Sequence, residues 1–188
     1  MVCFIPHPTF PGGEELEIGC SIGGASSILA DRDFKVYASD ISSFALAKAS
    51  KLAKESGREI NFYKFDIQKE IPIKEKFDFI IAFEVIEHLS NPLKAIRNMR
   101  SKLGINGVIV CSTPDKNYDM SSDPTHINVK TKEDWIKIFN EVGFSKVITS
   151  YVSFLPFFYN INKNLHFIFP FPVRSKFINS PLFILAWK

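Results

Sequence analysis

The sequence has few of the features that mark secreted, metal-cluster or membrane-spanning proteins. Its 188 residues include 3 cysteines, which lie far apart without a CxxC pair, so neither a disulfide framework nor a zinc cluster is indicated. It has no apolar run of about 18 residues, and its N-terminus lacks the charged and apolar regions of a secretory signal. We therefore expect a cytoplasmic protein.

The sequence also lacks a large excess of positive or negative charge. The formal net charge is +3, and 23 lysines and arginines are interspersed with 20 acids, so no basic face indicates nucleic-acid binding. With 46% hydrophobic and 23% charged residues, the chain suits one globular domain over residues 1–188 with a single sizeable core.

Short apolar runs alternate with helical periods along the chain. The last predicted helix is the clearest, because Thr131 can cap it and Gly143 can end it. Alternation of strand and helix predicts an α/β fold built on a parallel sheet. Helices are predicted at 44–56, 92–103 (with Gly104 as a stop) and 132–142, and strands at 15–18, 35–39, 60–65, 77–83, 107–112, 146–154 and 182–187.

The first predicted strand runs into a glycine-rich turn, with the sequence ELEIGCSIGGAS. Glycines at this edge of a sheet allow a sharp turn and the close approach of a ligand. The next strand ends in Asp40, where an acid can accept hydrogen bonds from both hydroxyls of a ribose. Turn and acid together indicate an adenosine-containing ligand, although an ordinary βα turn with a surface acid remains an alternative at this point.

Several motifs resemble, in order and spacing, the class I methyltransferases of the broad group that contains the ubiquinone-biosynthesis O-methyltransferases. They are ELEIGCSIGGAS, VYASDIS, FDI, FDFIIAFEVIEHL, GVIVCSTP and HINVKTKEDWIKIFNEVGF, over residues 15 to 150. The resemblance implies a Rossmann-like seven-stranded sheet, mostly parallel with an antiparallel last strand and with helices on both faces. The family pattern has a glycine where this chain has Ser21.

The resemblance also implies S-adenosylmethionine as the cofactor and assigns a place around it to each matching residue. By this resemblance, the turn residues lie along the methionine moiety and the ribose edge (Glu17, Gly19, Cys20, Ser21 and Gly23). Asp40 contacts the ribose hydroxyls. Ile41, Asp66 and Ile67 lie at the adenine, and Phe83 and Glu84 lie beside the sulfonium.

A nicotinamide-dependent dehydrogenase is the competing interpretation, because a glycine turn and a ribose-binding acid serve both cofactors. Its fingerprint, G-x-G-x-x-G, requires a glycine where Ser21 stands. That interpretation also leaves the string FEVIEHL and the seventh strand without a role.

Two histidines are candidate catalytic residues. A methyl transfer to a hydroxyl needs a proton acceptor, and His88, after the fourth strand, and His126, after the fifth, have suitable chemistry. The set Glu84, Glu87, His88 and His126 also resembles the residues that bind a divalent cation in some relatives, where a cation would hold a hydroxylated acceptor. Structural roles for both histidines stay open.

The type of acceptor is narrowed by absent motifs. The Asn/Asp-Pro-Pro-aromatic signature of amino-group methylation and the Pro-Cys nucleophile of cytosine chemistry are missing. Methylation of a small-molecule acceptor, first of all at oxygen, is the prediction. The alternatives are a cofactor-binding subunit that needs a partner, and a methyltransferase acting on RNA or protein.

The C-terminal part is unusually rich in phenylalanine, with 8 of the 19 phenylalanines in the last 38 residues. We interpret residues 155–181 as a hydrophobic insertion before the last strand. It either completes the core or covers a hydrophobic acceptor. Contact with a membrane surface, a second copy of the chain or a partner subunit is also compatible with it.

Overall fold

The computed structural model describes residues 12–118, 123–155, 167–169, 171–174 and 180–188. Its helices are α1 (Gly24–Ala30), α2 (Ser43–Glu55), α3 (Pro92–Lys102) and α4 (Lys132–Val142), with a 3₁₀ turn at Ile86–His88. Its strands are β1 (Glu14–Ile18), β2 (Lys35–Asp40), β3 (Ile60–Lys64), β4 (Phe77–Phe83), β5 (Leu103–Thr113), β6 (Lys146–Tyr151), β7 (Ser153–Leu155), β8 (Phe167–Phe169) and β9 (Leu182–Trp187).

Seven of these strands form one sheet in the order β3-β2-β1-β4-β5-β9-β6. The pairs among β1 to β5 are all parallel, whereas β9 runs antiparallel to both of its neighbours, β5 and β6. This confirms the predicted mostly parallel sheet with an antiparallel last strand. The carboxyl ends of β1, β2, β4 and β5 therefore meet at one edge.

Helices cover both faces of the sheet. Alternate residues of β2 show the division, because Tyr37 packs in the large core with α3 and α4, whereas Val36 packs with Leu29 of α1 and Ala38 with Leu46 of α2. The large core includes fully buried Trp135 and Phe139 on the inner stripe of α4. The predicted helix at 132–142 thus forms and packs one apolar stripe on the sheet.

Capping side chains and a glycine mark where the helices begin and end. The Thr131 hydroxyl accepts a hydrogen bond from Asp134 N at the start of α4, and Gly143 ends that helix with φ of 90°. Ser42 and Asn91 cap α2 and α3 in the same way. Each cap satisfies a backbone N–H group that has no partner within its helix.

One predicted boundary was wrong. β5 begins at Leu103, directly after α3, so Gly104 lies inside a strand instead of stopping the helix in a turn. Leu103 pairs with Phe77, and the register of the two strands shifts between Phe77 and Phe79. The four β5 residues between these pairs stand opposite the single β4 residue Asp78, and they include Gly104 and Gly107, so a sequence pattern predicts a loop here.

The predicted strand 146–154 is also corrected. The ladder with β9 ends at Val152, because its N–H donates to Pro181 O at 3.3 Å in the same register, but Pro181 has no N–H to return the second bond. The residues beyond Val152 form β7, which pairs with β8 in a separate two-stranded sheet. Of the proposed insertion 155–181, residues 156–166, 170 and 175–179 lie outside the described residues, so its function as a unit stays a prediction.

A carboxyl group is buried in the middle of β1. Glu15 is fully buried between its strand neighbours Val36 and Phe79, and within the described part of the chain neither of its carboxyl oxygens has a hydrogen-bond partner. Burial raises the pKa of Glu15 well above its ordinary value, and the nearby Glu17 carboxylate raises it further. The folded protein therefore holds a proton that the unfolded chain releases near pH 4.5.

Replacing this carboxyl should stabilise the protein. Because the pKa is raised on folding, the unfolding free energy of the wild type falls as pH rises above about 4.5. We expect Glu15→Leu to increase the unfolding free energy at pH 7 by about 1 to 3 kcal/mol and to reduce its difference between pH 5 and pH 7. Urea denaturation at the two pH values measures both. Glu15→Gln, which keeps a buried polar group but needs no proton, should lose only the pH dependence. A Leu variant less stable than wild type at pH 7 contradicts the account.

Candidate active site

The turn after β1 depends on backbone conformations that favour glycine. Gly19 and Gly23 have φ of 74° and 83°. Ser21, which replaces the expected middle glycine, also has a positive φ of 48°. The turn therefore keeps the shape of a glycine turn despite the substitution, at the energetic disadvantage of a non-glycine residue in the left-handed region.

Gly19 also lies in close contact with the segment that follows β4. A Cβ atom on Gly19 would come within 2.5 Å of Val85 Cγ2, which is shorter than any real contact of this kind. A side chain is therefore excluded both by the backbone angle and by the neighbouring valine. This contact holds the glycine turn against the start of the 3₁₀ turn.

Asp40, at the end of β2, organises the turn from the other side. Its Oδ2 accepts a hydrogen bond from Ser21 N at 2.9 Å, and its Oδ1 accepts one from Ser42 N at 2.8 Å. Each carboxylate oxygen keeps acceptor capacity beyond one backbone bond. The position is that of an acid which can bind a vicinal diol at the mouth of the turn.

Glu17 lies beneath the turn and is nearly fully buried. Its Oε2 accepts hydrogen bonds from both the backbone N–H (2.8 Å) and the hydroxyl of Ser26 in α1. Burial raises the pKa of Glu17, the two bonds from Ser26 lower it, and the Asp40 charge raises it again. Glu17 thus ties β1 to α1.

A cleft of about 360 Å³ opens next to Asp40, at the carboxyl ends of β2 and β3. It is lined by two of the residues assigned to adenine, Ile41 and Asp66, together with Lys64, Phe65, Lys69 and Glu70. Ile41 is 68% exposed, which leaves an apolar surface available to a flat ring. The third adenine residue, Ile67, is buried in the large core.

Glu84 and Phe83, assigned to the sulfonium, lie at the end of β4. Glu84 has φ of 53°, and its Oε1 accepts a hydrogen bond from Ser112 Oγ at 2.6 Å. Its backbone N–H donates to Ser112 O at 3.0 Å. Phe83 makes an edge-to-face contact with Phe183 of β9, with ring centroids 6.0 Å apart. The carboxylate of Glu84 is therefore directed toward β5.

Three of the four candidate metal ligands come together. One ligand atom each of Glu87, His88 and His126 lies within 4.8 Å of the others, and the two imidazole rings have centroids 4.8 Å apart. Glu87 is fully buried, and the His88 side chain is 35% exposed. Glu84 is not a member of this group. We refer to Glu87, His88 and His126 as the acid–histidine cluster.

The orientation of His88 is set by the loop that carries His126. His88 Nδ1 lies 3.0 Å from Thr125 O. Because a carbonyl oxygen only accepts, Nδ1 carries the proton of the neutral ring, and the Nε2 lone pair faces the cluster side, 3.8 Å from Glu87 Oε1. Such an Nε2 atom can accept a proton or bind a cation.

The β5–α4 loop is anchored at its base by Asp115, which is buried. Its Oδ2 accepts hydrogen bonds from Lys132 N at 2.9 Å and from the Tyr151 hydroxyl at 2.8 Å. Burial, followed by the bond to Asp115, raises the pKa of Tyr151. The anchor joins the end of β5, the start of α4 and the end of β6.

Four residues of this site escaped the sequence interpretation. Ser26, Ser112, Thr125 and Asn128 act through hydrogen bonds to partners between 9 and 39 positions away. Serine, threonine and asparagine occur at many loop positions, so no local signal distinguishes these four.

Comparison with known proteins assigns the family. The profile described as a methyltransferase domain matches residues 4–149. The chain belongs to this methyltransferase family. The match confirms the family and the S-adenosylmethionine cofactor that the sequence motifs implied.

The methyltransferase domain of this chain matches part of a longer curated relative. It is similar to the ubiquinone biosynthesis O-methyltransferase of Rickettsia canadensis, with 34% identity over 100 residues, which are 53% of this chain and 42% of the relative. The chain thus spans less than half of that relative.

None of the described helices has the length and apolar character that crossing a membrane requires.

Solved structures with low sequence identity share the fold. The cyclase SpnF has a TM-score of 0.73 at 18% identity, over 96% of this chain and 76% of its own. The magnesium protoporphyrin IX methyltransferase of Synechocystis, solved with bound S-adenosylmethionine, has a TM-score of 0.66 at 19% identity, over 95% and 71%. Because one neighbour is named a cyclase, the chemistry must be argued from the site and not from the fold.

The contact between Gly19 and Val85 generates a stability prediction. Gly19→Ala should lower the unfolding free energy by more than about 1 kcal/mol, because a positive φ and a steric clash act together. Gly57→Ala is the matched control, since Gly57 has φ of 67° but nothing within 4 Å of the position that a Cβ atom would take. Gly19→Ala combined with Val85→Ala should recover part of the loss. Thermal and urea unfolding of the four proteins measures this, and equal losses for the two glycine variants would exclude the clash.

Proposed function

We propose that this domain binds S-adenosylmethionine across the glycine turn and transfers its methyl group to a hydroxyl of a small acceptor. The observation that carries the proposal is a turn in which Gly19 cannot hold a side chain, bonded to Asp40, with a cleft lined by Ile41 next to Asp40. When bound, S-adenosylmethionine supplies an electrophilic methyl carbon on a cationic sulfur.

The residues around the turn fit that cofactor. Asp40 would accept hydrogen bonds from the ribose hydroxyls, Ile41 would pack on the adenine, and Asp66, with the backbone of the buried Ile67, would contact the adenine edge. Glu17 would provide negative charge for the methionine amino group, and Phe83 with Glu84 would border the sulfonium. Cys20, Ser21 and Gly23 contribute backbone along the methionine moiety.

Asp40 gives the sharpest test of the cofactor assignment. Asp40→Ala should weaken S-adenosylhomocysteine binding by about 1.5 to 3 kcal/mol, roughly ten- to a hundred-and-fifty-fold, because a charge-assisted ribose contact is lost. Isothermal titration calorimetry measures the change. Asp31→Ala, which removes an exposed acid paired with Arg58, is the control and should bind normally. Unchanged affinity of the Asp40 variant would disprove the ribose assignment.

The acid–histidine cluster is proposed to activate the acceptor. His88 Nε2 and His126 can remove the hydroxyl proton directly as the methyl carbon is attacked. Glu87, His88 and His126 can also hold a divalent cation, because a carboxylate and two imidazoles within 4.8 Å are a suitable donor set. A cation there lowers the pKa of a hydroxyl that binds it.

A chelator separates these two ways of activation. If a cation is needed, EDTA should suppress methyl transfer to a catechol probe, Mn²⁺ or Mg²⁺ should restore it, and Glu87→Gln should behave like chelated enzyme. Ser90→Ala, just beyond the cluster in sequence, serves as the control. Full activity after removal of metal would assign the cluster to direct acid–base chemistry instead.

The acceptor is further proposed to be hydrophobic. The support is compositional: the phenylalanine-rich segment 155–181 brings more apolar surface than a connection between strands requires. In the described part of this segment, Phe171 is 55% exposed. We also propose that residues 1–188 form one domain. A partner subunit or a second copy of the chain is proposed to complete it.

A further inference from the structure

The turn after β4 and the loop after β5 are joined by one side chain outside the acid–histidine cluster. Asn128 Nδ2 donates a hydrogen bond to Leu89 O at 2.5 Å, and its backbone N–H donates to Glu87 O at 2.8 Å. The two acceptors flank His88. Asn128 therefore holds both sides of the backbone segment that presents two members of the cluster.

The 3₁₀ turn needs such external partners. It is three residues long, and its own bonds are weak or few: His88 N donates to Val85 O at 3.1 Å and Leu89 N to Ile86 O at 3.5 Å. Short 3₁₀ turns have poorer hydrogen-bond geometry than α-helices. The Glu87 carbonyl inside the turn and the Leu89 carbonyl just beyond it are therefore satisfied from the β5–α4 loop.

An asparagine is specifically suited to this position. Its Oδ1 accepts a hydrogen bond from Lys130 Nζ at 3.1 Å, while its Nδ2 donates to Leu89 O. Lys130 is itself held above the Trp135 ring, 5.8 Å from the centroid. The amide is used at both ends, so an aspartate of the same shape would place an oxygen against the Leu89 carbonyl.

Two neighbours of Asn128 on the same loop connect this clamp to the chemistry. His126 belongs to the cluster, and Thr125 O accepts the Nδ1 proton that orients His88. A displacement of the loop would move both. We propose that Asn128 is a positioning residue, which sets the separation of the two loops and thereby the orientation of His88 toward Glu87 and His126. The inference rests on the proposed function of the cluster.

The primary test is metal-free. Long-range ¹H–¹⁵N correlation spectra of the histidine side chains report which ring nitrogen carries the proton. We expect the wild type to show His88 with its proton held on Nδ1, and Asn128→Asp and Asn128→Ala to show an averaged tautomer. Asn98→Asp is the matched control, because Asn98 Nδ2 also clamps two loop carbonyls, Ile67 O and Lys69 O, away from the cluster.

A second readout follows Mn²⁺ binding by the electron paramagnetic resonance signal of the free ion. Loss of an outer partner should weaken Mn²⁺ binding about ten- to a hundred-fold in both Asn128 variants, with no change in Asn98→Asp. Two Asn128 variants are needed, since an introduced carboxylate could bind Mn²⁺ itself. If Asn128→Asp does not fold, Asn128→Ala decides, because it keeps the backbone bond to Glu87 O.

The outcomes separate this inference from the proposed function. Wild-type Mn²⁺ binding that is abolished by Glu87→Gln, with unchanged affinity and an unchanged His88 tautomer in both Asn128 variants, overturns the role of Asn128 alone. A wild type that binds no Mn²⁺ removes the cation from the proposed function, and the tautomer spectra still decide on Asn128. A wild-type His88 without its proton on Nδ1 contradicts the inference outright.

Discussion

The close approach of Gly19 to Val85 is the constraint on which both halves of the candidate site depend. Gly19 begins the turn that is proposed to hold the cofactor, and Val85 begins the segment that presents Glu87 and His88. Without a side chain on Gly19, the ends of β1 and β4 can pack directly against each other. The proposed methyl donor and the acid–histidine cluster are thereby placed at one edge of the sheet, which a methyl transfer requires because donor and acceptor must be aligned closely.

Around this contact, the polar groups hold loops in place as much as they offer chemistry. Asp40 bonds to the turn, Glu17 ties β1 to α1, and Asp115 joins β5, α4 and β6. Each is a carboxylate that accepts backbone N–H or hydroxyl groups, a stronger kind of bond than one between neutral partners. A rigid frame of this kind keeps reacting groups in position without the energetic disadvantage of ordering them at the moment of reaction.

Those parts of the fold and of the site that depend on local sequence patterns could be predicted from the sequence. The cap at Thr131, the stop at Gly143 and the position of Asp40 at a strand end were predicted correctly. Contacts between segments that are distant in the sequence could not be predicted. β5 begins at Leu103 because Leu103 pairs with Phe77, and the β6–β9 ladder ends at Val152 because Pro181 opposite it has no N–H. Glu84 and Glu87 looked equivalent in the string FEVIEH, yet φ of 53° at Glu84 directs it to Ser112 while Glu87 faces the histidines.

The most direct test of the central claim is a crystal structure of the protein with S-adenosylhomocysteine and Mn²⁺. The account predicts ribose hydroxyls on Asp40, adenine against Ile41, and the sulfur at the end of β4, on the side from which the acid–histidine cluster and any bound Mn²⁺ can reach an acceptor hydroxyl. A ligand bound away from the glycine turn, or a cluster separated from the sulfur by the sheet edge, would contradict it.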